Sequence, residues 1–508
     1  MTSYRSTWRP AQMALGILIG LGAWTTCPPT RTAGAEQPLR IALASSINTL
    51  DPQNTASVGT DLSVISQLYD ALVRRNPDGK LAPELAVFWQ QKDDLTWVFT
   101  LRAGIRFPDG EALDADAIKW NIDQVRAPAR HARIGSWFAA IAQVMAPDPN
   151  HLVIKTSTPF ADLPAQLSML YMLAPQWRQS HDPAHEVMGT GAYRLIENVP
   201  GDHLHLRARE GYWRAPPAFA DVTYLVIPDI STRLASLESG GVDLITGFPP
   251  MALAHLRRAS GGALTGTRAI FLKFNMEQAP LANNRALRLA LNHAVDKQGI
   301  VDALMAGYGG VSACQVVTPA YAGYDSELKS YAYDPGLARR LLHEAHIAPG
   351  SLTLTLEVPI DSYMLATDVA QAVAAQIEEI GVHVRISEMP FSTWMIRYLG
   401  RHSMGQTAYL GQAWPSLDSV GVMNLFTVGN RYAYWNDPIF TALVHQAAST
   451  SDARQREGYE HDALRCMCDE APVLFLFNQP VTYARSARIN WTPRGDDWLR
   501  ADEIRHTP

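Results

Sequence analysis

Residues 369–386 read as a helix, a stop and a strand. Val369, Ala370, Val373, Ile377 and Ile380 recur at helical spacing and lay one apolar stripe along a helix face. Gly381 ends the stripe, as the residue that most easily takes the left-handed conformation after a helix. Val382, Val384 and Ile386 then alternate with period two, the mark of a strand with one covered face. A strand reached this way must pair in a sheet that the helix covers, so the chain is committed to an α/β layer.

Two further segments carry the same instruction. In the segment 280–305, Leu287, Ala290, Leu291, Ala294 and Val295 form a helical stripe. Asp334 stands at an N-cap and Pro335 in the first turn of another helix. The stretch 104–120 holds four carboxylates, Asp109, Glu111, Asp114 and Asp116, which invites a catalytic reading. Architecture explains them better. Pro108, Asp109 and Gly110 make a turn, Asp114 caps a helix buried through Ile118, Ile122 and Val125, and Glu111 and Asp116 are first-turn or solvated acids.

A chain of 508 residues exceeds one hydrophobic core, so two or three domains are expected. With 18% charged residues, a formal net charge of −6 and no long charge run, the composition argues against a polybasic surface for nucleic acid. The first 35 residues read as a signal peptide: Arg5 and Arg9, an apolar stretch over 11–24, and Ala33, Gly34 and Ala35 before the cleavage point. Cys27 opens the alternative of a lipid anchor, although the residues before it do not form a lipobox. Beyond the leader lie Cys314, Cys466 and Cys468; one disulfide from Cys314 to either of the others, or three buried thiols, both fit an exported protein.

Six segments in order carry a resemblance: 48–54 (NTLDPQN), 68–86 (LYDALVRRNPDGKLAPELA), 96–117 (TWVFTLRAGIRFPDGEALDADA), 189–195 (GTGAYRL), 227–244 (IPDISTRLASLESGGVDL) and 274–297 (FNMEQAPLANNRALRLALNHAVDK). Their order and spacing resemble the family 5 extracellular solute-binding proteins, the dipeptide, oligopeptide and nickel class that serves ABC importers. The resemblance implies an α/β, bilobed periplasmic-binding-protein fold with an extra inserted domain, two mixed-sheet lobes being joined by a hinge. Lobe I would comprise 36–75, 188–267 and 478–508, the inserted domain 76–187, and lobe II 268–477. Such proteins close around solute by hinge motion, and a solute shifts that balance only through its preference for the closed state.

Catalytic signatures are missing: the chain has no GxSxG, HExxH or Walker A sequence, and the glycines at 189 and 191 lack the third of a dinucleotide fingerprint. His343 and His346 share a helix face without a third ligand in the pattern, so no metal site and no cofactor are expected. In the resembling peptide binders, an aspartate three residues after a cleft tryptophan pairs with the peptide's ammonium. Here Trp414 is followed at that place by Leu417, and Asp418 comes one residue later. Asp418 is thus either the ammonium anchor or a structural acid, and both readings stay open. Trp414 and Tyr409 are expected to line the cleft, with Tyr432 and Trp435 as further aromatics. In lobe I the resemblance points to Ser46 and Asn48 after the first strand and to Tyr171 in the run 168–171. Arg233 would support the fold. The absence of His and Arg from 415–430 disfavours nickel.

The expected function is a periplasmic, monomeric, non-enzymatic solute-binding component of an ABC importer. It would hand a small peptide or peptide-like solute to an inner-membrane permease and its ATPase subunits. The alternatives are an opine, oligosaccharide, metallophore or other conjugate as solute, and, from a different class, a secreted hydrolase.

Overall fold

The computed structural model describes residues 37–508 apart from 56–58 and 361. The expected signal peptide and Cys27 lie outside the described residues. No helix among those described is long and apolar enough to cross a membrane.

One ten-stranded sheet organises the chain. Its order is Val382–Pro390, Leu352–Ile360, Thr407–Gln412, Ser260–Phe274, Val473–Arg485, Leu244–Thr246, Leu39–Leu43, Asp221–Val226, His203–Ala208 and Tyr193–Val199. Leu39–Leu43 pairs in parallel with both its neighbours, whereas the central Ser260–Phe274 and Val473–Arg485 pair antiparallel. These two strands, the longest in the sheet, run from one half of the molecule to the other. Where they cross, Thr265 faces Pro480 and Ala269 faces Asn478, so four steps on one strand are matched by two on its partner. Such a bulge bends and loosens the ladder locally, and Pro480 has no N–H to close it.

The cores divide on either side of that crossing. One joins Leu39, Ile41, Val222 and Tyr224 to the helix Thr60–Leu68 and to the four-stranded sheet that contains Thr96–Leu101. In the other half, alternation along each strand feeds two cores on opposite faces. Ile270 and Leu272 join the helix Ala366–Glu379, while Phe271 joins Trp394, Phe426 and Phe475.

The helix, Gly381 and strand unit is present as read, with Ala366–Glu379 followed by Gly381 at φ 89° and Val382–Pro390. The segment 280–305 differs in one respect. Its helix Arg285–Ala294 stops and Lys297–Leu304 begins anew, because the Asp296 carboxylate accepts the Gly299 N–H at 2.9 Å and caps a second helix. Asp114 caps Ala115–Arg126 by accepting the Asp116 and Ala117 N–H groups, each at 3.1 Å, and Ile118, Ile122 and Val125 are buried. Glu111 accepts the Gln176 N–H at 3.1 Å, so the acids of that stretch are occupied with turns and caps. A disulfide joins Cys314 to Cys468, and among the described residues Cys466 is a free thiol, with burial pushing it up to about 12.

Candidate functional site

A cavity of about 230 Å³ opens beside the bulge, with walls from widely separated parts of the chain. Arg74, Arg75 and Glu84 come from the short hairpin Val73–Arg75 and Leu81–Pro83 and the turn after it. Ser168, Met169 and Tyr171 follow the short helix Leu163–Leu167. Thr267 and Arg268 sit in the bulge itself, and Trp414 and Leu417 belong to the loop after Thr407–Gln412. A C-terminal loop supplies Asp496, Asp497, Trp498 and Arg500.

Trp414 is held from three sides. Its N–H donates to the Tyr321 hydroxyl at 2.6 Å, its ring meets Trp137 edge-on at 5.8 Å, and a Cβ at Gly421 would lie 2.2 Å from a ring carbon. Only glycine lets the indole lie this close to the backbone. Tyr171 is buried and bridges Ala71. These two of the six site residues read from sequence meet at the cavity.

The other four stand elsewhere. Asp418 does not line the cavity: one oxygen caps Ser419–Met423 through the Val420 N–H at 3.0 Å, and the other pairs with Arg456. Arg456 also meets Glu460 at 3.2 Å, so the Asp418 carboxylate shares one guanidinium with a second acid inside the protein and is not among the residues that line the cavity. Tyr409 is likewise displaced. Strand alternation turns it away from the neighbouring residues 408 and 410 and into the core under Ala366–Glu379, 0% exposed. Ser46 is exposed and outside the lining, and the Asn48 N–H donates to Asp61 at 2.9 Å. Tyr432 serves through its carbonyl, which accepts from the buried Lys273 at 2.6 Å, and Trp435 packs on Phe440. Arg233 donates to the carbonyls of Ile227, Pro228 and Gly247 and is architectural.

The charged lining falls into paired and unpaired groups. Arg74 meets Glu503 at 2.9 Å, Arg500 meets Asp502 at 3.3 Å, and Asp496 receives Arg494 at 2.6 Å. Burial opposes ionisation of Asp502, but Arg500 and Arg74 bring it down to about 2. Glu84 accepts the Ala71 N–H at 3.1 Å with Arg214 at 3.6 Å, and burial, with Asp70 adding to it, lifts it to about 7. Three side chains have no ion pair among the described residues. Arg75 donates only to the carbonyls of Gly79 and Ser416, leaving its buried Nε without a partner. Arg268 reaches the Gly411 carbonyl at 3.4 Å and lies over the Tyr363 ring. Asp497 has a left-handed backbone, φ 65°, and burial raises its carboxyl to about 6 against the pull of Arg268.

Sequence reasoning passed over Arg75, Arg268 and Asp497. Arg75 lay inside a motif used only for resemblance. For Asp497 the available signal was the density of charge in RGDDWLRADE, 494–503, too rich to be an ordinary tail. Among the described residues no group of three or more His, Cys, Asp or Glu side chains is placed to hold a metal.

Comparison with known proteins places this architecture. Over 498 residues the chain is similar, at 29% identity, to a glutathione-binding protein of Salmonella typhimurium, with 94% of each chain covered. By structure it is similar to the Helicobacter pylori periplasmic binding protein DppA in complex with the peptide STSA, with a TM-score of 0.80 and 20% identity over 92% of this chain and 98% of that one. It is also similar to NikA from Brucella suis in complex with Fe(III)-EDTA, with a TM-score of 0.82 and 23% identity over 93% of this chain and all of that one. Residues 80–432 match the family described as bacterial extracellular solute-binding proteins, family 5 Middle. The chain belongs to the family 5 bacterial extracellular solute-binding proteins.

Proposed function

We propose that this protein captures a small peptide or peptide-like solute in the cavity beside the bulge and delivers it to an ABC permease. It acts as a monomer, without catalysis, in the periplasm. The observation that carries the reading is the construction of the cavity: the hairpin and the C-terminal loop contribute from the side of the first core, Trp414 and Leu417 from the other half. A solute held there touches both halves at once, which is what makes a closed state more stable with solute than without it. The bulge at Thr265–Ala269 opposite Asn478–Pro480 supports a bend there; of the lobe divisions expected from sequence, 267/268 falls within it and 477/478 at its edge.

The names of the relatives support the solute class. Glutathione and the peptide STSA are both short peptides. A cavity of about 230 Å³ suits a compact solute better than a long peptide. Trp414 and Tyr171 supply apolar walls, and the unpaired charges supply the polar anchors. Asp418 is assigned to the support of the loop that carries Trp414.

Native mass spectrometry of protein recovered from a periplasm without denaturation, followed by release of its cargo, tests the reading. Peptides of two to four residues are the expected cargo. A single opine, oligosaccharide or chelate mass would replace the peptide class by one of those, and consumption of an added peptide by pure protein would overturn the non-enzymatic assignment.

A further inference from the structure

The unpaired charges at the cavity say more about the solute than its size does. Most of the ionic lining is satisfied internally: Arg74 and Arg500 by Asp502 and Glu503, and Asp496 by Arg494. What remains without an ion pair among the described residues is two guanidinium groups, Arg75 and Arg268, and one carboxylate, Asp497. Charges kept half-buried without a partner are costly, and a protein that keeps three of opposite signs in one cavity recovers that cost when a complementary ligand arrives.

We propose that the cavity reads a zwitterionic solute with one ammonium and two carboxylate groups, Asp497 receiving the ammonium and Arg268 and Arg75 the carboxylates. The inference rests on the peptide reading above and sharpens it to a peptide with an extra acidic group, net charge −1. Guanidinium groups suit this role because their planar N–H array matches a carboxylate. Arg268 spends only one long contact on Gly411, so most of its donors remain available. Arg75 is held by the carbonyls of Gly79 and Ser416 and lines the cavity.

Backbone geometry marks the same place. Asp497 and Leu417, φ 65° and φ 52°, are the two cavity residues other than glycine with a left-handed backbone. Such conformations persist where the surrounding structure enforces them, and they gather at ligand sites. Leu417 presents an apolar side chain at the cavity, and Asp497 presents the acid from the opposite loop. The ammonium anchor has thereby moved from the loop after Trp414 to the C-terminal loop. Burial already holds the Asp497 carboxyl above its ordinary value, and an ammonium beside it would favour the ionised form.

Isothermal titration of the purified protein with three probes tests the assignment: glutathione, N-acetylated glutathione, which lacks the ammonium, and trialanine, which has a single carboxylate. The unaltered protein is expected to bind glutathione at least tenfold tighter than either of the others. Asp497→Asn, which keeps the side chain's size, is expected to lose at least tenfold for glutathione and less than twofold for the acetylated form. Arg268→Gln is expected to narrow the gap between glutathione and trialanine. Equal binding of glutathione by Asp497→Asn and the unaltered protein overturns the charge assignment alone, as does an equal loss for both glutathione forms. Failure of the unaltered protein to bind any of the three overturns the peptide reading and this inference with it.

Discussion

Two loops bring acids close to the cavity, and they treat those acids in opposite ways. In the loop after Thr407–Gln412, Asp418 is 3% exposed, caps a helix and pairs with Arg456, which also meets Glu460. In the C-terminal loop, Asp496 is neutralised by Arg494 while its neighbour Asp497 has no ion pair among the described residues. The first loop therefore uses its acid to hold shape, and the second holds shape with one acid and presents another. An acidic residue near a cleft is informative only once its partners are known, and here the two loops differ in whether the acid is paired.

Substitutions can break this contrast, and the largest effect is expected where the pairing is densest. Arg456→Met leaves Asp418 and Glu460 buried without their cation and should cost about 3–5 kcal/mol in urea unfolding. Asp418→Ala should also destabilise, by about 2–3 kcal/mol, through the lost cap and ion pair. If either variant instead unfolds like the unaltered protein while losing solute affinity, the two loops have exchanged roles. Trp414→Ala should weaken solute binding by about 2 kcal/mol, with a smaller change in stability, because its ring lines the cavity and is half-buried against Trp137. Titration calorimetry separates the two effects.

Leu417→Asp sharpens the comparison by giving the first loop an unpaired acid. Aspartate tolerates the left-handed backbone found there, φ 52°. Leu417 is 6% exposed and part of a hydrophobic core, however, so the variant should also lose stability, and its binding is to be compared on protein shown to be folded. The cavity's unpaired charge then falls to zero, and preference should shift by about tenfold, on the order of 1.4 kcal/mol, from acidic toward neutral peptides. A variant with the original preference would remove charge balance as the selector. The smallest effect concerns pH. Burial and Asp418 raise Glu460 from 4.5 to about 7. The folded protein thus holds a proton there that the unfolded chain releases, and this contribution to stability is full below about pH 4.5 and is lost as pH rises through about 7. Glu460→Gln should flatten the fall in stability between pH 5 and 8 by on the order of 1 kcal/mol, measured by thermal unfolding.

Local elements were the legible part of the sequence. The stripe ending at Gly381 and the caps at Asp114 and Asp334 rest on interactions within a few residues, so period and capping chemistry expose them. The split at Asp296 shows the limit, since the stripe from Leu287 to Val295 did not reveal that a second capped helix follows it. Trp414 and Tyr171 could be approached through resemblance. Asp418 and Tyr409 could not be assigned, for different reasons. The role of Asp418 depends on Arg456 in a later helix, and that of Tyr409 on which face of Thr407–Gln412 turns toward Ala366–Glu379. Arg75, Arg268 and Asp497 are brought to one cavity by the sheet order, and no local pattern predicts that order.

The pairing of Leu244–Thr246 with Val473–Arg485 and the anchoring of Arg74 by Glu503 also carry a consequence for the order in which the molecule can be made. The first core cannot be completed by its own early residues: Leu499, Ala501 and Ile504 belong to it, hundreds of positions from Leu39 and Ile41. Contacts of such long sequence separation form late and slowly, because a large loop must close before they repay its entropy. A chain delivered N-terminus first therefore stays incomplete until its last residues arrive. The cavity, to which Asp497 on the same late segment contributes, is complete only once that segment has joined the first core.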